Sequence, residues 1–211
     1  MKRACLFLLL LLTLSACDND ATSNSESNIP VAGEHTIAKS PSGFLAKDEA
    51  ELSVLDFETS YAMCAQALSE YYKAIWNGTE MDLDAYIDNA NLKQYMQKKI
   101  AAQYDLFHKN NLTDDLVISV DVGARTADYV EGESSFFYLL LDVRINKEVG
   151  SYGEPTVFLV QNLNGKLVLA DWYTNAKDSY DSIARGEKQT IDNPEIWNDE
   201  DWIKTLNTSM Q

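Results

Sequence analysis

The hydrophobic period of this chain changes once, near residue 111. Upstream of that point apolar residues recur at three- and four-residue steps, and downstream they recur at two. Leu52, Leu55, Tyr61, Cys64, Leu68, Tyr71, Tyr72 and Ile75 trace one face of an amphipathic helix beginning near residue 48. Asn77-Gly78 is its stop signal. A short second segment is expected from Asp82 to Ile87. A third helix is expected from about Leu92 to Phe107, with Tyr95, Met96, Ile100 and Phe107 on one side and Asn110-Asn111 at its end.

Strands follow. Leu116, Ile118, Val120 and Val122 should share one face of a first strand, with Ala124 to Val130 a weaker strand after it. Phe136 to Lys147 alternates best: Phe137, Leu139, Leu141, Val143 and Ile145 on one face, Tyr138, Leu140, Asp142 and Arg144 on the other. Gly150 to Gly153 turns the chain into a nearly continuous apolar strand, Thr156 to Gln161. Asn164-Gly165 signals a type I′ hairpin before the closing strand Leu167 to Tyr173. Hairpin steps make an antiparallel meander. Helices first and strands second predict an α+β fold, N-terminal helices packed on one face of a curved antiparallel sheet. A short helix near 195–206 is expected in the acidic tail, 178–211.

A chain of 211 residues, 45% hydrophobic, can build the core of one domain and a tail. Its formal charge of -16 excludes functions that rest on phosphate contacts, so no nucleic-acid partner is expected.

The N-terminus reads as an address. Lys2 and Arg3 precede an apolar run too short to span a bilayer, Leu6 to Leu12, and then Leu14-Ser15-Ala16-Cys17. These four residues resemble the lipobox of bacterial lipoproteins. That resemblance implies cleavage before Cys17, diacylglycerol on its sulfur, and an extracytoplasmic protein anchored to the cell membrane through lipid. Residues 1–16 carry Lys2 and Arg3 and no acid, so their removal takes the formal charge from -16 to -18. Residues 17–47, with Asp18-Asn19-Asp20, Pro30, Gly33 and Pro41-Ser42-Gly43, read as a lipidated flexible tether. Its coil span is about 30 Å, from ~5–6 Å times the square root of its length. The globular domain is expected over 48–177.

With Cys5 removed and Cys17 acylated, Cys64 alone remains, so no internal disulfide is expected. His35 and His108 are too few to suggest a metal centre. Cys64 sits on the apolar stripe of the first long helix, where a cysteine is a small hydrophobe rather than half of a Cys64–His108 dyad. The chain has no P-loop, no Gly-x-Gly-x-x-Gly and no Gly-x-Ser-x-Gly elbow, so no cofactor or catalytic set is expected. Acids inside the expected strands are the remaining polar candidates: Asp121, Asp142 and Asp171. Asp142 has Arg144 two residues on as a partner for the outer face. Asp171 with Tyr173, and Tyr138 with Asp142, are the candidate ligand-binding groups. Trp197 and Trp202, in the acidic tail, are candidates for contact with a partner or with their own domain.

Two or three helices followed by a meander resemble the nuclear transport factor 2-like fold, a cone with a pocket between helix and sheet. A narrower resemblance rests on Asn91-Leu92-Lys93-Gln94-Tyr95, then Asp171-Trp172-Tyr173, Asp178-Ser179-Tyr180-Asp181 and Arg185-Gly186. Together these are similar to the non-catalytic region found ahead of cell-wall amidase domains in low-GC Gram-positive bacteria, over roughly 50–190. In such proteins a cysteine-type amidase domain follows the Arg-Gly segment. The stretch to Gln211 is too short for one, so no catalytic residue is carried over, and the resemblance implies an envelope module without its enzyme.

Two functions are therefore expected to compete. One is a lipid-anchored, non-enzymatic binding module of the cell envelope, its partner an envelope protein or a wall component. The other is a small-molecule-binding or small enzyme domain around Asp171 and Tyr173. A charge of -18 is repelled by anionic wall polymers, which favours a protein partner or a basic ligand.

Overall fold

The computed structural model of the chain describes residues 43–209 except 133 and 188; the signal, lipobox and most of the tether expected above lie outside them. Among the described residues no helix is long and apolar enough to cross a membrane. The described residues form an α+β fold, with four α-helices and one four-stranded antiparallel sheet.

The first helix, α1, spans Phe57–Asn77. Gly78 closes it in the left-handed region at φ 69°, its N–H donating to the Ala74 carbonyl. A Cβ there would lie 3.0 Å from the Tyr104 ring, so glycine is required by both backbone and space. The expected segment at 82–87 is a single 3-10 turn, Leu83–Ala85. α2 spans Ala90–Lys109 and is capped by Asn89, whose side-chain oxygen accepts from the N–H groups of Asn91 and Leu92.

β1 (Val117–Val130), β2 (Phe136–Lys147), β3 (Ser151–Leu163) and β4 (Lys166–Thr174) form the sheet in the order β1-β2-β3-β4. Asn164 and Gly165 both have positive φ, 52° and 83°, as a type I′ turn requires. The inner face carries Phe137, Leu139, Leu141, Val143 and Ile145 of β2 with Phe158 and Val160 of β3, which share one core with Met63, Cys64, Leu68 and Tyr71 of α1. A smaller apolar group on the outer face joins Phe136, Val157, Leu159, Ala170 and Tyr173 under Ile191, with half-buried Tyr138 and Leu140 against it.

β1 departs from the expected pattern. It is one strand, not two, and a register shift between Val117 and Ser119 breaks its alternation. Val117 enters the core and Ile118 is left 65% exposed, so Leu116, Ile118, Val120 and Val122 do not share a buried face. One extra residue in a strand exchanges the two faces on either side of it.

Packing also begins before residue 48. Leu45 bridges Lys166, the Leu167 N–H donates to the Phe44 carbonyl, and the buried Asp56 carboxylate accepts from the N–H groups of Lys47 and Ser53. The acidic C-terminal segment belongs to the same body: α3 (Tyr180–Arg185), a 3-10 turn (Ile196–Asn198) and α4 (Glu200–Ser209) dock on it. The buried Trp197 and Leu206 and the half-buried Trp202 join the main core.

Candidate functional site

A second irregularity decides where the candidate acids go. β3 and β4 shift register between Leu159 and Val160, so that Leu159 pairs with Asp171 and Val160 with Leu169. Leu167 and Leu169 face the main core, as does Trp172; Asp171 pairs with outer-face Leu159, and Tyr173 joins the outer apolar group. Asp171 therefore leaves the face of Leu167 and Leu169 that simple alternation gives it.

Asp171 is 1% exposed and fully engaged. Arg185 reaches it from α3 with two hydrogen bonds, Nη1 to Oδ1 at 2.9 Å and Nη2 to Oδ2 at 2.7 Å. The Trp172 N–H and the Trp197 Nε1–H both donate to Oδ1 at 2.8 Å. The Arg185 guanidinium lies 5.3–5.4 Å from the ring centres of Tyr173, Trp197 and Trp202. Burial opposes its charge most strongly, but the Asp171 carboxylate, through charge and hydrogen bonds, together with the Asp181 charge holds its pKa above the ordinary arginine value. The Tyr173 hydroxyl donates to the Gly186 carbonyl at 2.6 Å. Asp171 and Tyr173 are thus brought together, as rivets of α3 and the C-terminal segment to β4.

Tyr138 and Asp142 lie apart from them. Tyr138 is half-buried on the outer face, its pKa raised by burial and by the Asp128 charge. Asp142 is exposed and takes the Arg125 guanidinium of β1 in two hydrogen bonds, not Arg144 as expected. Arg144 donates instead to Ser151 at 3.1 Å. Gly123 pairs with Asp142 across the ladder, and Arg125 is the unpaired residue of the second β1 register shift, which aims it at that carboxylate.

The sequence reading missed a second buried network. Asp181 of α3 is 0% exposed and accepts from Tyr95 Oη at 2.6 Å, Lys99 Nζ at 2.6 Å and the Thr174 N–H at 2.6 Å. Lys99, 1% exposed, also donates to Thr174 Oγ1 and lies 4.9 Å from the Tyr71 ring centre. Burial and then the Asp181 charge push the Tyr95 hydroxyl far above its ordinary pKa. Beside this network the Tyr72 hydroxyl donates to Glu154 at 2.9 Å. Burial raises the Glu154 pKa, against the opposing pull of the Tyr72 hydrogen bond and the Lys99 charge. Spacing carried a signal for the network: Tyr95 and Lys99 are one turn apart on α2, and Asp181 and Arg185 one turn apart on α3. Of the residues quoted above from the third helix and the Asp171 to Gly186 stretch, Tyr95, Asp171, Trp172, Asp181 and Arg185 take part in these two networks.

Other candidates are separated. Cys64 is 0% exposed and burial raises its thiol pKa, which suppresses the reactive thiolate. His108 is exposed and lies 3.4 Å from Thr113 Oγ1. Among the described residues no group of three or more His, Cys, Asp or Glu side chains is placed to hold a metal ion.

Open space lies elsewhere. A groove of about 650 Å³ runs between the N-terminal segment, the loop before α2, the β1–β2 hairpin, β4 and the C-terminal segment. Glu51, Asp88, Glu131 and Glu195 line it over a base that includes Val168 and Ala170, and no lysine or arginine is among its described lining residues. Asp171 and Arg185 border a cleft of about 120 Å³. Compared with protein-family models, with curated proteins and with solved structures, the chain matches none.

Proposed function

We propose that this chain is an extracytoplasmic lipoprotein, acylated at Cys17 and held to the cell membrane, whose domain is a non-enzymatic binding module of the cell envelope on a nuclear transport factor 2-like frame. The observation that supports it is the division of labour among the acids. Asp171 and Asp181 are each consumed by a buried cation, Arg185 and Lys99, and hold the C-terminal segment in place. The large groove is left open, at the end of the sheet where the chain enters the domain from its tether. Its volume lies within the ~300–1,000 Å³ of small-molecule and side-chain sites, and the 120 Å³ cleft beside Asp171 does not. A reaction site around Asp171 and Tyr173 would have to break the pairs that fasten α3.

Two measurements in cells test this reading. Labelled palmitate should enter the wild-type protein and not Cys17→Ala, which should leave the membrane fraction. A photo-crosslinking residue at Ser134, on the groove, should give a discrete adduct with an envelope component, and the same residue at the exposed Ile183 should not. No label on the wild type overturns the anchor, and equal crosslinking from both positions overturns the groove as the binding place.

A further inference from the structure

We infer that Asn164 is a site of spontaneous deamidation, and that its conversion loosens the seat of the segment that enters the domain. The chain holds two Asn-Gly pairs, Asn77-Gly78 and Asn164-Gly165. A glycine after asparagine leaves the next backbone nitrogen unshielded by a Cβ, so that nitrogen can reach the side-chain amide. The reaction is intramolecular and consumes only water. The Gly165 nitrogen gives its proton to hydroxide and bonds to Asn164 Cγ, and the Cγ–Nδ2 bond breaks. The leaving amide takes a proton from water and departs as ammonia, which regenerates the hydroxide and leaves a succinimide. Water then opens the ring. Attack at Cγ gives aspartate in a normal chain; attack at the main-chain carbonyl carbon gives isoaspartate, whose backbone runs through Cβ and Cγ. The sum is amide plus water to carboxylate plus ammonium.

The fold treats the two pairs differently. Asn77 ends α1 with its amide spent: Nδ2 donates to the Val117 carbonyl at 3.1 Å, and Oδ1 accepts from the Val117 N–H at 2.9 Å. The nucleophile is tied as well, because the Gly78 N–H donates to the Ala74 carbonyl. Attack at Asn77 therefore requires the end of α1 to come off β1. Asn164 is exposed at the tip of the β3–β4 hairpin, and its side-chain amide makes no hydrogen bond among the described residues. Its nucleophile, the Gly165 N–H, donates to the Asn162 side chain, to Oδ1 at 2.8 Å, rather than to a helix carbonyl. A hairpin tip opens locally at lower cost than a helix end packed on the sheet.

The same tip fastens the entering segment. The Ala46 N–H donates to the Gly165 carbonyl at 2.9 Å, and Asn162 Nδ2 donates to the Asp48 and Glu51 carbonyls at 2.8 and 3.0 Å. A Cβ on Gly165 would stand 3.2 Å from Glu49 Cγ, so this contact has little slack. Asn164 and Gly165 hold φ of 52° and 83°, and Leu163 pairs with Lys166 across them. Isoaspartate lengthens the backbone between that pair, which a two-residue turn cannot absorb. Either product also sets a negative charge at a tip already beside the exposed Asp48, Glu49 and Glu51.

The test is full-length protein in a neutral detergent, aged at mildly alkaline pH and mapped by peptide mass spectrometry. Asn164 should convert at least about tenfold faster than Asn77 in the folded protein, and the two should agree within about twofold in urea, where no fold distinguishes them. Trypsin should cut aged protein at the exposed Lys47 at least about threefold faster than fresh protein, since cleavage follows the open population. Asn164→Gly suits the same turn and has no amide to lose, so its hairpin peptide and its cleavage at Lys47 should not change with age. Absence of conversion at Asn164, conversion of Asn77 at an equal or higher rate in the folded protein, or an advantage of Asn164 that persists in urea overturns the site. Unchanged cleavage at Lys47 in the aged wild type, or an equal change in Asn164→Gly, overturns the loosened seat.

Discussion

Asp171→Asn separates a structural role for that carboxylate from a ligand-binding one. In the folded protein the Arg185 and Asp171 side chains are 5% and 1% exposed, so the substitution strands a guanidinium in the interior. The amide keeps one acceptor oxygen, but its nitrogen must face an arginine N–H. Breaking a buried pair by removing one partner costs about 3–5 kcal/mol. For a domain of this size each kcal/mol moves the melting temperature by roughly 2–4 °C, so the variant should melt about 6–20 °C lower. Replacing both partners, Asp171→Leu with Arg185→Met, removes the stranded charge. It then leaves the N–H groups of Trp172 and Trp197 without an acceptor, a cost of about 1–3 kcal/mol each. Urea unfolding followed by tryptophan fluorescence, on the wild type, both single variants and the double variant, gives the coupling energy directly. A coupling of at least ~2 kcal/mol is expected from a buried charged pair. A loss below about 1 kcal/mol for Asp171→Asn, or strict additivity of the two changes, would refute the clamp and return Asp171 to the list of ligand groups.

Glu154 gives a pH-dependent test. Its folded pKa is raised by burial, so between the unfolded carboxylate value and the folded value the native state holds more protons than the unfolded state, and stability falls as pH rises through that window. Glu154→Gln should flatten this decline, seen as a stability gain over wild type at neutral pH that shrinks in acid; a constant difference across pH would exclude it. Gly165→Ala should cost about 1–2 kcal/mol, because φ is 83° and the new Cβ would sit 3.2 Å from Glu49 Cγ; thermal melts report it. The Cys64 thiol should resist maleimide in the folded protein and react in urea, and Cys64→Ser should destabilise by about 1–3 kcal/mol through an unpaired buried hydroxyl; fast native labelling by peptide mapping would show that the helix stripe is not packed as described.

Local sequence signals carried the α+β class, the helices before the strands, the Gly78 stop, the extent of β2 and the Asn164-Gly165 hairpin. Each is a local property: a period of 3.6 or 2, or a positive φ that few residues tolerate. The resemblance of Leu14-Ser15-Ala16-Cys17 to a lipobox is also local, an order of residue types along the chain. The faces of β1 and β4 were not legible, because a single extra residue between Val117 and Ser119, or at the Leu159–Val160 shift, reverses every side chain beyond it without changing composition. Only the tertiary structure decided the rest. Asp181 on α3 lies more than 80 residues from Tyr95 and Lys99 on α2, and they pair because burial makes an unpaired charge costly. Arg125, not the neighbouring Arg144, takes Asp142, because the register shift between Ala124 and Thr126 leaves Arg125 out of the ladder beside that carboxylate. The groove has no linear trace at all. Glu51, Asp88, Glu131 and Glu195 line one groove only when the hairpin, the α2 entry and the C-terminal segment are packed around the same end of the sheet.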